Sequence, residues 1–295
     1  MTGTFESLNG NPFYVRRWGN PSLPPLLMLH GFPEYSGAWN TLAPELSQHY
    51  HIIAPDQRGY GQSWTPEGVE NYTTSALISD MVALIKQIDG PVTVLGHDWG
   101  AAIAYGLAMF HPDLVSRLII ANGVHPVPFQ RALVAGGAQT AASQYITWLR
   151  QPGSEDALAA NDFDKLLGLF SADMDLSWLS GERLKAYKLE WSRPGRLRAM
   201  INWYRASPLL VAKPDMPLPM PDMPLDRLYV RQPHLLLWGT GDTALTPAST
   251  QALEEFAPQL TRFEFDQADH WLCHQKPVEI ARAILDWAAV QDNAS

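Results

Sequence analysis

Asp98 stands in the run V-L-G-H-D-W-G-A, where an apolar stretch meets a Gly-x-x-x-Gly turn and small, apolar residues continue beyond it. That is the frame of a nucleophile elbow, a sharp strand-to-helix turn that pushes one reactive side chain into the open. Serine usually fills the central position; here it is a carboxylate. Serine suits attack on a carbonyl, because its acyl ester is hydrolysed at the substrate's own carbonyl carbon. On a saturated carbon it would leave an ether, which water does not readily cleave. A carboxylate attacking that carbon leaves an ester whose carbonyl belongs to the protein, and activated water can break it. Asp98 therefore points to substitution at an sp³ carbon, in an epoxide or an alkyl halide.

Such a nucleophile turns over only with a base and a group that orients the base. In elbow-bearing sheets these follow in the order acid, then histidine. The apolar run 234–238 leads into G-T-G-D-T-A-L, which puts Asp242 in the loop at its end. The last expected strand, 262–265, leads into Q-A-D-H-W and puts His270 in the next loop. Asp269 and Asp266 are rivals for the orienting role, but they crowd the histidine and lack the strand-end placement. Hydrolysis of the ester develops an oxyanion on Asp98 itself, so hydrogen-bond donors must stand beside it. The backbone N–H of Trp99 is one; the loop H-G-F-P-E (residues 30–34) offers the other, from Phe32.

These loops need strands to carry them. Runs at 26–29, 52–54, 91–95, 118–121, 234–238 and 262–265 read as strands, after a hairpin of residues 5–8 and 13–18 turning at Asn9-Gly10. Helical patterns at 72–88, 99–111, 247–256 and 277–288 alternate with them. The expected class is α/β, a mostly parallel sheet flanked by helices. The alternation stops between residues 125 and 232, where aromatic-rich helical patterns end in K-P-D-M-P-L-P-M-P-D-M-P. That Pro-rich return is neither helix nor central strand. Residues 1–124 and 233–295 are thus expected to form a core domain, and 125–232 a helical cap over the strand ends where such sheets hold ligands.

The 295-residue chain carries a net charge of −9, which argues against nucleic acid and anionic membranes as partners. Its one cysteine, Cys273, rules out an intrachain disulfide and fits a reducing cytoplasm. No signal peptide or membrane-spanning run is evident.

Taken together, H-G-F-P-E, D-Q-R-G-Y-G-Q-S (residues 56–63), G-H-D-W-G, G-D-T-A-L and A-D-H-W resemble the α/β-hydrolase epoxide hydrolases of the soluble and bacterial type. The resemblance implies the α/β-hydrolase fold and a cis Phe32–Pro33 peptide bond. It also implies two cap tyrosines that hold the epoxide oxygen as the ring opens. The segment I-N-W-Y-R-A resembles the family's N-W-Y-R motif and marks Tyr204. The segment S-Q-Y-I-T-W-L-R-Q-P-G, counted back from Pro152, marks Tyr145, with Tyr187 in reserve. The expected reaction converts a small hydrophobic epoxide and water to a vicinal diol, without metal or organic cofactor. A homodimer is compatible with the sequence.

The alternative is a haloalkane dehalogenase with the same Asp98, His270 and Asp242. A departing halide wants N–H donors, and Trp99 with Trp148 or Trp203 of the cap could supply indoles. The first loop, however, has Phe32 where many dehalogenases have asparagine. Trp99 and Ala102 stand where fluoroacetate dehalogenases place arginines. A binding protein that has lost catalysis is a third class, and the complete Asp98, His270 and Asp242 set argues against it.

Overall fold

A computed structural model describes residues 2–294. Eight strands form one sheet: β1 (Thr2–Leu8), β2 (Asn11–Trp18), β3 (Pro25–Leu29), β4 (His51–Pro55), β5 (Val92–His97), β6 (Val115–Ala121), β7 (His234–Gly239) and β8 (Leu260–Phe265). Their spatial order is β1-β2-β4-β3-β5-β6-β7-β8, with β1 and β2 antiparallel to their neighbours and the rest parallel. The first hairpin turns at Asn9 and Gly10, whose φ values of 52° and 81° suit a tight turn matched to strand twist. β5 and β7 are buried along their whole length, which is why they read as continuous apolar runs.

Helices cover both faces. α2 (Thr74–Ile85) and α3 (Trp99–Phe110) pack on one side, and α1 (Leu42–Leu46) and α11 (Pro277–Ala294) on the other, with α10 (Leu272–Gln275) leading into α11. Between β6 and β7 the chain makes α4 (Pro126–Val134), α5 (Ala138–Ala142), α6 (Gln144–Leu149), α7 (Ser154–Ser171), α8 (Gly181–Trp191) and α9 (Arg196–Ala206). A proline-rich return follows, and the two ends of this insert meet at His125. Its Nδ1 accepts the Val127 amide at 3.2 Å and its Nε2 donates to the Leu228 carbonyl at 3.0 Å. No helix of the described residues is long and apolar enough to cross a membrane.

Two expected helices differ. The helix expected at 72–88 is the shorter α2, and Tyr72 instead ends a 3-10 turn, Val69–Tyr72. Residues 247–256 form two 3-10 turns, Pro247–Thr250 and Leu253–Glu255, with Ala252 between them at φ 60°. There the Ser249 and Thr250 hydroxyls donate to the Thr246 and Pro247 carbonyls, competing with helical bonding.

Candidate active site

Asp98 links β5 to α3 with φ 50° and ψ −119°, a conformation that a residue with a side chain adopts only when its surroundings enforce it. Two glycines allow that enforcement. A Cβ on Gly100 would lie 2.0 Å from the Leu29 carbonyl oxygen, so α3 can sit this close to β3 only with glycine there. A Cβ on Gly31 would lie 2.3 Å from the Asp98 Cβ, so the loop after β3 can press directly on the carboxylate. From that loop the Phe32 amide donates to Asp98 Oδ1 at 2.7 Å, and the Phe32–Pro33 bond is cis as expected.

Asp242 follows β7 and is fully engaged. Its Oδ1 accepts the Ala244 and Leu245 amides, each at 2.8 Å. Its Oδ2 faces His270 Nδ1 at 2.8 Å and accepts Asn122 Nδ2 at 2.7 Å. Burial alone would raise the Asp242 pKa, but the His270 charge and these bonds bring it below the ordinary carboxylate value. Asn122, just past β6, was not foreseen. It also accepts the Gly239 amide at 2.7 Å, pinning the end of β7. Its position after a strand, like that of Asp242, was the available signal.

His270 Nε2 stands 3.6 Å from Asp98 Oδ2, too far for a hydrogen bond. Burial would lower the imidazole pKa, yet Asp242 and then Asp98 drive it well above its ordinary value. The two rivals are engaged elsewhere. Asp269 accepts the Trp271 and Asp175 amides, and exposed Asp266 meets only the Thr240 hydroxyl.

Beneath His270 lies a second, unforeseen group. His97, the residue before Asp98, packs its ring 4.8 Å from the His270 ring and contacts the His270 carbonyl at 2.8 Å. Its other nitrogen faces buried Glu34 at 3.2 Å. Glu34 also accepts from His274 at 2.7 Å and from the Tyr187 hydroxyl at 2.8 Å. Burial opposes its ionisation, and the histidines more than reverse that, holding the carboxyl well below its usual range. Glu34 and His97 both lie in the quoted motifs, but their pairing spans 63 residues and no local pattern announces it.

Tyr145 on α6 and Tyr204 on α9 come together from the insert, their ring centroids 6.1 Å apart. Tyr204 also packs edge-on against Phe32 and Trp99, at 5.2 and 5.1 Å. A cavity of about 290 Å³ is lined by Asp98, His270, Phe32, Tyr145 and Tyr204, among others. A second, of about 260 Å³, shares Asp98, Tyr145, Tyr204 and Leu245 and is otherwise walled largely by apolar side chains, including Trp99, Phe129 and Ile146. Burial, with Asp98 nearby, raises both tyrosine pKa values.

Two candidate substrate contacts lie outside these cavities, and the reserve tyrosine is engaged elsewhere. Trp203 does not line either cavity; its indole donates to the Arg58 carbonyl at 3.0 Å, anchoring α9 on the core. Trp148 also lies outside both cavities and stacks beneath the Lys165 ammonium, 4.0 Å from its ring. Tyr187, the reserve tyrosine, is bound to Glu34.

The family model described as alpha/beta hydrolase fold matches residues 24–277. The chain is 33% identical to the AB hydrolase superfamily protein YfhM of Bacillus subtilis, over 96% of each chain. It is 30% identical to Epoxide hydrolase 4 of Mus musculus, over 96% of this chain and 77% of that one. Among solved structures, a Bacillus megaterium epoxide hydrolase in complex with an inhibitor superposes with a TM-score of 0.88 at 27% identity, covering 97% of this chain and all of that one. Matches of this extent, in sequence and in three dimensions, place the chain in the epoxide hydrolase family of the α/β-hydrolase fold.

Proposed function

We propose that this protein hydrolyses a hydrophobic epoxide to a vicinal diol through an ester on Asp98. The observation that carries this reading is that Asp98, Tyr145, Tyr204 and His270 line one cavity. Asp98 Oδ2, which lacks the amide bond that Oδ1 has, attacks a ring carbon. The C–O bond breaks toward the tyrosines, and one of them gives its proton to the leaving alkoxide. His270 then takes a proton from water, and the hydroxide adds to the Asp98 carbonyl. The oxyanion formed there is met by the Phe32 and Trp99 amides. Collapse expels the diol and restores Asp98, and the imidazolium proton returns to the tyrosinate. The scheme draws only on the protein's own side chains and backbone amides and on water.

One electrostatic consequence helps its timing. The Asp98 charge is among the causes that raise the His270 pKa, and forming the ester removes it. The His270 pKa thus falls after alkylation, which favours the neutral imidazole that can take a proton from water. In this reading residues 125–232 act as a cap domain on a core of 1–124 and 233–295. Cys273, free and buried, suits the reducing cytoplasm. Dehalogenation loses support because Trp203 is engaged by Arg58 and Trp148 lies outside the cavities.

Replacing His270 with Gln tests the scheme, since alkylation does not need the base and ester hydrolysis does. With a reactive epoxide the variant should stop after about one turnover. Its intact mass should rise by that of the whole epoxide, and peptide mapping should put the adduct on Asp98. An alkyl halide would add only its alkyl part. In the wild type, a single turnover in ¹⁸O-water that placed label directly in the first diol would overturn the covalent mechanism.

A further inference from the structure

Tyr145 and Tyr204 come from different helices, and one side chain joins the end of the first to the stretch of the second that carries Tyr204. Arg150 is the residue on which α6 ends. Its Nε donates to the carbonyl of Tyr204 itself at 2.9 Å, its Nη1 to the Leu209 carbonyl at 2.9 Å, and its Nη2 to the Ser207 carbonyl at 3.1 Å. The last carbonyls of a helix lack partners within it, and here the guanidinium supplies one for α9.

We infer that Arg150 is a positioning residue for ring opening, setting where the hydroxyls of Tyr145 and Tyr204 meet above Asp98; this rests on the ring-opening reading of those tyrosines.

Two features separate it from an ordinary helix cap. Arg205, next to Tyr204, pairs with the Glu155 carboxylate at 2.6 Å, as a structural arginine commonly does. Arg150 meets three neutral carbonyls instead, although it is half-buried and withdrawing a cation from water is unfavourable. A glycine after the helix would cap α9 without that desolvation. What glycine cannot do is tie α9 to the end of α6. The second feature is placement. Ser207, Pro208 and Leu209, over which the guanidinium lies, line the cavity that begins at Asp98. A slip of this segment would move both the cavity wall and the Tyr204 ring.

The planar fork is what spans three carbonyls, so lysine, a single point charge, should not replace it. In the His270→Gln background, where reaction stops at the adduct, Arg150→Lys should slow adduct formation about ten- to a hundredfold. With His270 intact, the same change should leave adduct hydrolysis within about twofold, because the base and the oxyanion donors stand on the core. Combined with Tyr204→Phe, it should add less than about threefold, since it acts through the hydroxyl already removed. Adduct formation at the His270→Gln rate, equal slowing of both half-reactions, or fully multiplicative effects would each overturn the inference. Should the lysine variant not fold, Arg150→Ala titrated with ethylguanidinium reads the same quantity. Recovery of ring opening supports the inference and its absence overturns it. If the parent His270→Gln protein forms no adduct with any epoxide tried, the ring-opening reading itself fails and takes this inference with it.

Discussion

The two halves of the site are positioned by different means. On the core, Phe32, Asp98, Asp242 and His270 follow β3, β5, β7 and β8, so hydrogen-bonded strands fix their spacing before any side chain acts. Backbone amides then finish the job, as the Ala244 and Leu245 amides do for Asp242. On the insert, Tyr145 and Tyr204 ride on helices of six and eleven residues with no shared ladder. Their placement relies on individual side chains: Arg150 across the two helices, and Trp203 from α9 to the core. A sheet positions by register, whereas separate helices must be tied one by one. Changes in the insert should therefore disturb ring opening and leave ester hydrolysis standing; changes behind the triad should do the reverse.

The largest break should come from the insert. Replacing both Tyr145 and Tyr204 with Phe should slow adduct formation about a hundred- to ten-thousandfold, the usual range for losing acid assistance. Stopped-flow tryptophan fluorescence or quenched-flow mass analysis measures this. An unchanged rate would remove the tyrosines from the mechanism. The opposite signature should come from behind the triad. Asn122→Ala leaves Asp242 without one bond and the Gly239 amide unpaired. A loss of about 1.4 kcal/mol, close to the low end of the range for a hydrogen bond to a charged group, would slow adduct hydrolysis about tenfold. Alkylation should hold in single-turnover measurements; if both steps fell together, the proposed division of labour would be wrong.

A third effect lies at the seam and falls on stability rather than on rate. Burial pushes His125 down to about 4 and His234 to about 3. Below pH 6.5 the unfolded chain takes up protons that these folded-state rings refuse, so stability falls as pH drops from 6.5 toward 4. Between pH 7 and 5 the loss should be on the order of 2 kcal/mol per histidine. Urea unfolding at the two pH values measures it. His125→Asn, which can still cap α4 but does not titrate, should show a smaller loss, and an equal loss would exonerate this ring.

Sequence disclosed the core half of the site more readily than the insert half, and the reason is the same. Asp98, Asp242 and His270 each follow a segment that reads as a strand, and chain order with strand ends was enough to group them. Asn122 follows a strand too, but an amide there has no chemistry of its own to draw attention. Trp203 shows the limit in the insert. An indole in an aromatic-rich helix reads equally as ligand contact or anchor, and the carbonyl that decides, Arg58, lies 145 residues away. Arg150 is hidden in the same way, its acceptors being backbone atoms more than fifty positions ahead. The segment 247–256 misled for a local reason, since Ser249 and Thr250 compete for the carbonyls a helix would use.

The junction at His125 has a consequence for how such a protein changes over evolutionary time. The insert leaves after β6 and returns before β7, two strands that are neighbours in the sheet, and a single imidazole closes its two ends together. A segment whose ends already touch can be lengthened, shortened or exchanged with little demand on the sheet it leaves. Recombination at two nearby points would replace every side chain of the insert at once while Asp98, His270 and the Phe32 amide stayed as they are. The same cut sites offer a route to chimeras, in which a new roof is tried over an unaltered reaction centre.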